Sequence, residues 1–334
     1  MFPRPRVFAE QAGLWGVSLP LIAWLIRHVR NYDAVHLHYV WSLSTIVGAA
    51  LGRLTGRRVV LTAHESLTSY DIETASGSRA KRNAKLLVRS LIMRCVGTVV
   101  CASELERRDS LRSNEIGVVI SHPVVESPRA TPLPTSVGSD LTIGYLGRLH
   151  PKKNIDVLLR ALALTPDARL IVCGDGDTAY RDQVQTLATD LGIEDRVDWR
   201  GHVDVSGKEQ LFAEADVTVM ASAYECFGMA GAEAMASGRP VVVTETTGLA
   251  PIIRKFDAGA VVAQGDEVAL ARVLASLATG DLCTKELGER ALAASTATFT
   301  FAAYGSAIEL VYRGLPSPEA GATWRAAPRV PSPR

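Results

Sequence analysis

Tyr224-Glu225-Cys226-Phe227-Gly228-Met229-Ala230-Gly231-Ala232-Glu233-Ala234-Met235-Ala236-Ser237-Gly238-Arg239-Pro240 lies between two apolar runs. Val217-Thr218-Val219-Met220 precedes it and Val241-Val242-Val243 follows it. The pattern reads as strand, loop, helix, strand. Glu225 falls on the strand-to-helix loop. Glu233 falls a turn or more into the helix that Gly228 opens. Such a helix start presents unpaired N–H groups and a positive dipole end to an anion. The two carboxylates, with seven residues between them, can accept hydrogen bonds from hydroxyls. Phosphate at the helix mouth and hydroxyls on the carboxylates suit a sugar nucleotide. The competing reading is an ordinary helix with two surface carboxylates.

The same alternation continues outward. Strands are expected at 141–147, 169–174, 197–200, 217–220, 241–244 and 260–262. An earlier set reads as a helix at 18–29, strands at 33–38, 58–64, 97–103 and 118–121, and helices at 44–54, at 78–94 and from Glu104. Near-continuous apolar strands between helices mean buried parallel sheets. Residues 123–139 carry four prolines with Ser, Thr and Gly and read as a linker. The expected organisation is therefore 1–122, linker 123–139, a second domain at 140–298, a last helix within 299–315, and a tail at 316–334. That tail is rich in Pro, Ala, Ser and Arg and is expected to be disordered.

The segment 224–240 resembles the E-x7-E motif of glycosyltransferase family 4, the retaining nucleotide-sugar glycosyltransferases of GT-B fold. The aromatic-Gly after Glu225 and the Glu-Ala-Met-Ala-x-Gly-x-Pro-Val-Val around Glu233 carry the likeness. It spans nearly all of residues 30–313. The resemblance implies an α/β, GT-B protein with two Rossmann-like, doubly wound parallel-sheet domains facing a cleft. Residues 1–122 would be the acceptor side, and 140–298 would bind the nucleotide sugar. The helix at 302–312 would cross back onto the N-terminal domain. The family's opening strand and Gly-rich turn have no counterpart here. The N-terminal domain is therefore expected to be truncated, with the Val35–His38 strand exposing an edge.

The resemblance assigns roles residue by residue. Glu233 holds the ribose of the donor. Glu225 holds the donor sugar near its reacting centre, with no covalent role. The backbone at Phe227, Gly228 and Met229 adds N–H donors. Arg148 and Lys153, in Gly147-Arg148-Leu149-His150-Pro151-Lys152-Lys153-Asn154, match the family's G-R-x4-K element. Two cations at a strand C-terminus can clamp a diphosphate and favour its departure. Asn154 stands where the family often has Gly, and Asn tolerates turn geometry. Gly174 and Gly176 resemble a G-x-G turn near the nucleotide. His202 and Val203 resemble a segment whose backbone contacts the base, although His202 reads equally as a surface residue. His64, at a strand C-terminus, matches a position near the transferred sugar. His36 and His38 are read as structural, with at most one facing the site and His38 the better candidate.

Between Glu73 and Glu104 the charges are all basic, and Arg82, Lys85 and Arg89 fall on one helical face. That face is either simply solvated or a peripheral contact with an anionic membrane or lipid-linked acceptor. The resemblance implies that Arg148, Lys153 and the helix dipole take the place of a metal ion, so no metal and no cofactor beyond the donor substrate are expected. The net charge of +1 makes no case for nucleic acid. The five cysteines, at 95, 101, 173, 226 and 283, match neither a zinc site nor a disulfide framework. They favour a reducing, cytoplasmic setting, with peripheral placement at the inner membrane face as the variant. The apolar run from Ala12 to Ile26 could be read as a leader or anchor. It is too short to span a bilayer and Pro20 interrupts it, so a helix packing on a sheet is expected.

The expected function is retaining transfer of a sugar from a nucleoside-diphosphate sugar to a growing glycan or lipid-linked acceptor in cell-surface polysaccharide or glycoconjugate synthesis. Two rivals stand beside it. One is a catalytically impaired donor-binding or assembly partner. The other is a different GT-B enzyme, such as a sugar-nucleotide epimerase.

Overall fold

Short β-branched runs alternate with helices through the described residues, and they build two parallel sheets. The computed structural model describes residues 18–74, 77–126, 128 and 141–315. Most of the expected linker, the expected tail at 316–334 and the start of the apolar run at 12–26 lie outside the described residues.

The chain divides into two units. The first takes in residues up to Ser121 and again from Gly305 onward; the second is His122–Tyr304. In the first unit the elements are α1 (Leu19–His28), β1 (Ala34–His38), α2 (Leu43–Leu54), β2 (Arg58–Thr62), α3 (Ser69–Thr74), α4 (Arg79–Met93), β3 (Thr98–Cys101), α5 (Glu104–Ser110) and β4 (Gly117–Val119). Serines start the helices. Ser18, Ser42, Ser78 and Ser103 each accept a hydrogen bond from the backbone three residues on, satisfying a donor the helix cannot pair internally. The sheet is parallel with order β1-β2-β3-β4. Leu61, Leu67, Ile92 and Val99 fill its core. Among the described residues no strand pairs with the outer side of β1. The expected helix at 18–29 forms, and it packs on α2. No helix among the described residues is long and apolar enough to cross a membrane.

The second unit contains β5 (Leu141–Leu146), α6 (Ile155–Ala163), β6 (Ala168–Cys173), α7 (Thr178–Asp190), β7 (Val197–Gly201), α8 (Val205–Glu214), β8 (Val217–Met220), α9 (Met229–Ala236), β9 (Val241–Thr244), α10 (Ala250–Phe256), β10 (Gly259–Val262), α11 (Glu267–Thr279) and α12 (Thr284–Thr298). The strands pair in the order β10-β9-β8-β5-β6-β7, all parallel. Ile143, Leu158, Leu162, Leu170 and Leu274 are fully buried between sheet and helices. A last helix, α13 (Phe301–Arg313), starts here and from Gly305 belongs to the first unit. There Arg58 donates to the carbonyls of Val311 (3.3 Å) and Tyr312 (3.0 Å), satisfying acceptors at the helix end.

The basic face expected on α4 is not continuous. Arg89 is 4% exposed. Its guanidinium donates to both oxygens of Glu115 (3.0 and 2.6 Å) and to the Ser110 carbonyl (2.7 Å). Lys85 pairs with Asp71 at 3.2 Å and lies over the Trp41 ring. Helical spacing placed the three cations together, but burial of this face turned Arg89 into a core ion pair. Arg82 remains exposed.

Candidate functional site

In the second sheet the chain runs outward from β5 to β6 and β7. It then returns to β8 on the other side of β5. The loops after β5 and β8 therefore leave in opposite directions, and a crevice opens between them at the strand C-termini. That switch point is where doubly wound sheets bind ligands. Here the crevice is a cavity of about 200 Å³ lined by Tyr145, Gly147, Lys153, Ser222, Glu225 and Met229, among others.

Backbone hydrogen bonds between loops hold its walls. Ala223 N–H donates to the Lys152 carbonyl (2.8 Å), joining the loop after β5 to the loop after β8. Glu225 N–H donates to the Thr246 carbonyl (3.0 Å), and Gly248 N–H donates to the Glu225 carbonyl (2.8 Å). The backbone of Glu225 is thus fixed on both sides. Its carboxylate pairs with Lys153, so the side chains singled out on two separate loops meet in one place. Asn154, next to Lys153, is left-handed at φ 47°, ψ 45°, a conformation Asn tolerates better than most residues. Gly228 caps α9 at φ 107°, which a side chain would strain. The first hydrogen bond of that helix is Ala232 N–H to the Gly228 carbonyl. The N–H groups of the turn before it point out of the helix at the cavity's edge, where Met229 and Ala230 line it.

The loop after β5 carries a positive field. His150 is pushed below its ordinary pKa first by partial burial and then by Arg148, Lys152 and Lys153. Arg148 itself is exposed and is not among the cavity's lining residues. The buried Tyr145 hydroxyl donates to the Arg148 carbonyl (3.1 Å). Burial, then Tyr180 and Glu225, raise that phenol's pKa.

Glu233 lies on α9 as expected. Its two oxygens are 3.0 and 2.9 Å from Lys208 Nζ, a partner the sequence reading missed. His202 is exposed and Val203 half-buried in the loop between β7 and α8, the helix that carries Lys208.

The Phe227 ring is 1% exposed and packs edge-on against His122 and Phe299, so its side chain is core and only its backbone can meet a ligand. Gly174 and Gly176 do permit a close approach, but to the chain itself. A Cβ on Gly174 would stand 1.8 Å from the Gly147 carbonyl oxygen, and one on Gly176 would stand 2.0 Å from that of Leu149. These glycines let the loop after β6 lie against the loop after β5, joined by Leu149 N–H to the Asp175 carbonyl (3.0 Å). His36 and His38 share one face of β1, as residues two apart on a strand do, and their ring centroids lie 4.4 Å apart.

In the first unit His64 follows β2 in a left-handed turn, φ 49°. Its Nε2 lies 2.9 Å from His38 Nδ1. His36 lies between Tyr312 Oη (2.6 Å) and Thr62 Oγ1 (2.8 Å). The sequence reading also missed Glu106. This carboxylate is 0% exposed and accepts from Glu65 N–H (2.6 Å) and Ala102 N–H (2.7 Å). It bridges the turns after β2 and β3 and so sets the turn that presents His64. Its only sequence signal is its place in the first turn of α5, three residues after the Ser103 cap.

A family model described as glycosyl transferases group 1 matches residues 134–294, and a glycosyl transferase 4-like domain matches 2–118. A D-inositol 3-phosphate glycosyltransferase of Streptomyces avermitilis is 31% identical over 319 residues, covering 87% of this chain and 67% of the relative. The protein of that name from Streptomyces scabiei is 32% identical over 288 residues, covering 78% and 63%. The chain thus spans about two thirds of the length of the curated relatives it matches. Among solved structures, Anabaena HepE in complex with UDP superposes with a TM-score of 0.73 at 22% identity, over 89% of this chain and 82% of that one. Sucrose-phosphate synthase of Thermosynechococcus elongatus gives a TM-score of 0.74 at 24% identity, over 93% and 80%. These likenesses are of fold: two parallel-sheet α/β domains of GT-B type.

Proposed function

The chain belongs to the group 1 glycosyl transferases, and from that premise we propose that it moves a sugar from a nucleoside-diphosphate sugar to an acceptor hydroxyl with retention of configuration. One observation carries this reading. Lys153 and Glu225 meet in a cavity at the switch point of the second sheet, beside the start of α9. The proposed roles follow from position. Lys153 and the more exposed Arg148 take the diphosphate, with N–H groups at the start of α9 completing the anion site. Glu225 takes hydroxyls of the donor sugar, and Glu233 takes the ribose. As the bond from the sugar's anomeric carbon to phosphate stretches, its electron pair passes to the diphosphate oxygen, and the fixed cations stabilise that charge. The acceptor hydroxyl attacks the anomeric carbon from the face the diphosphate leaves and gives its proton to the departing phosphate oxygen, so no protein nucleophile is needed. Gly174 and Gly176 let the loop after β6 pack against the loop that carries Arg148 and Lys153, and the Val203 backbone takes the base.

We assign the acceptor to the class of growing glycans or lipid-linked acceptors, with His64 as a hydroxyl-binding residue. The relatives named for inositol 3-phosphate make that compound the first soluble acceptor to try. Peripheral membrane contact, in a cytoplasmic protein, is assigned to the exposed side of α4, where Arg82 stands beside exposed Leu86.

The test is thermal unfolding with a panel of UDP-, GDP- and ADP-sugars, followed by product analysis with glycan and polyol acceptors. Stabilisation by one nucleotide series, with transfer, is expected. Stabilisation without transfer to any acceptor would favour a donor-binding or assembly partner. No stabilisation by any of them would overturn the reading.

A further inference from the structure

Glu233 meets a cation that no motif announces. Lys208 stands in the first turn of α8, whose cap, Asp204, accepts from Gly207 N–H at 2.9 Å. The position of Lys208 is thus set by a capped helix start. Its Nζ straddles the Glu233 carboxylate, 3.0 Å from one oxygen and 2.9 Å from the other. The two side chains are 33% and 25% exposed, so a solute can reach them.

An ionised carboxylate offers about four acceptor positions, two on each oxygen. One ammonium astride both oxygens uses one position on each. One position on each oxygen remains, side by side on a carboxylate whose rotation is stopped. Two adjacent acceptors at a fixed orientation match two adjacent hydroxyls, the vicinal diol of a ribose. Without the lysine, the glutamate would sample its rotamers and would have to be ordered when the nucleotide binds. We propose that Lys208 is a positioning residue for donor recognition: it locks Glu233 so that the carboxylate reads the ribose diol. The inference rests on the reading of Glu233 as the ribose-holding residue.

The experiment compares each nucleotide with its diol-free form. Dissociation constants of UDP and 2′,3′-dideoxy-UDP are measured by titration calorimetry for the full chain and for Lys208→Met, Lys208→Arg and Glu233→Gln, with the GDP pair run alongside. The readout is the ratio of the two affinities within one protein, so damage to the fold that weakens both ligands cancels. The ratio is expected to fall about three- to tenfold in Lys208→Met, as for loss of one charge-assisted contact. It is expected to be mostly restored in Lys208→Arg and to collapse in Glu233→Gln. If Lys208→Met does not fold, Lys208→Gln is read by the same criterion. A ratio that collapses in Glu233→Gln but stays within about twofold in the uncharged Lys208 variant overturns the role of Lys208 alone. A ratio unchanged in Glu233→Gln, or no binding of either ribonucleotide, overturns the ribose reading and this inference with it.

Discussion

Lys153 and Glu225 come from loops 72 residues apart and meet as an ion pair. Each was legible from its local setting, a cation or a carboxylate on a strand-to-helix loop. Their pairing was not, because it depends on β5 and β8 being neighbours in the sheet. Lys208 was invisible for the same reason: nothing in its own helix marks it, and its meaning comes from Glu233 across space. If the roles proposed here are right, Glu225→Gln lowers kcat by at least about tenfold while donor KM changes little, because its contact matters most as the bond to the diphosphate stretches. Glu233→Gln chiefly raises donor KM. Steady-state kinetics separates the two, and the opposite pattern would mean that the roles are exchanged. Lys153→Ala should weaken binding of the nucleoside diphosphate more than that of the nucleoside. Calorimetry with the two ligands checks this, and equal losses would remove the clamp role. On the proposed roles, side-chain cations and a helix start neutralise the phosphates, so transfer is expected to persist in EDTA. Activity lost there and restored by Mg²⁺ would count against this mechanism.

At the scale of elements, the strand positions followed from apolar runs, and each strand appeared within a residue or two of its expected place. What the runs could not show is how the turns beyond them are held. The turn carrying His64 has two successive left-handed residues, His64 and Glu65, a conformation that is costly for non-glycine residues. Glu106, reaching from α5 into a fully buried position, anchors it through the Glu65 and Ala102 N–H groups. Burial raises the Glu106 pKa against the effect of those two donors. Glu106→Gln replaces one acceptor oxygen by an amide that cannot accept, leaving a buried N–H orphaned. A loss of about 1–3 kcal/mol in unfolding free energy is expected, measured by urea titration. A variant as stable as the parent would show that the bridge contributes nothing. The basic helix α4 teaches the converse. Its periodicity correctly put Arg82, Lys85 and Arg89 near one face, but periodicity does not say which end of that face is covered. Glu115, which covers Arg89, lies beyond the helix and its following strand.

At the scale of the molecule, the two units have separate cores and separate titrating groups. The first holds three histidines in a row. Burial, followed by the charges of His38 and His64, pushes His36 from 6.5 to about 4. His38 and His64 are lowered too, by burial first. Each imidazole is therefore kept neutral in the folded state more strongly than in the unfolded chain. The sign follows from linkage: between the folded and unfolded pKa values the unfolded chain binds more protons. The stability of this unit is thus fully present above about pH 6.5. It is lost progressively as the pH falls through the lowered values, down to about 4 for His36. The expected outcome is an unfolding temperature that falls between pH 6.5 and 4, with a shallower slope in His36→Gln. Nucleotide binding by the second unit should outlast sugar transfer over the first part of that range. Calorimetric scans of both proteins across the range, with nucleotide titrations at each pH, measure the two effects. Parallel slopes in the parent and in His36→Gln would show that the histidine row does not govern acid stability.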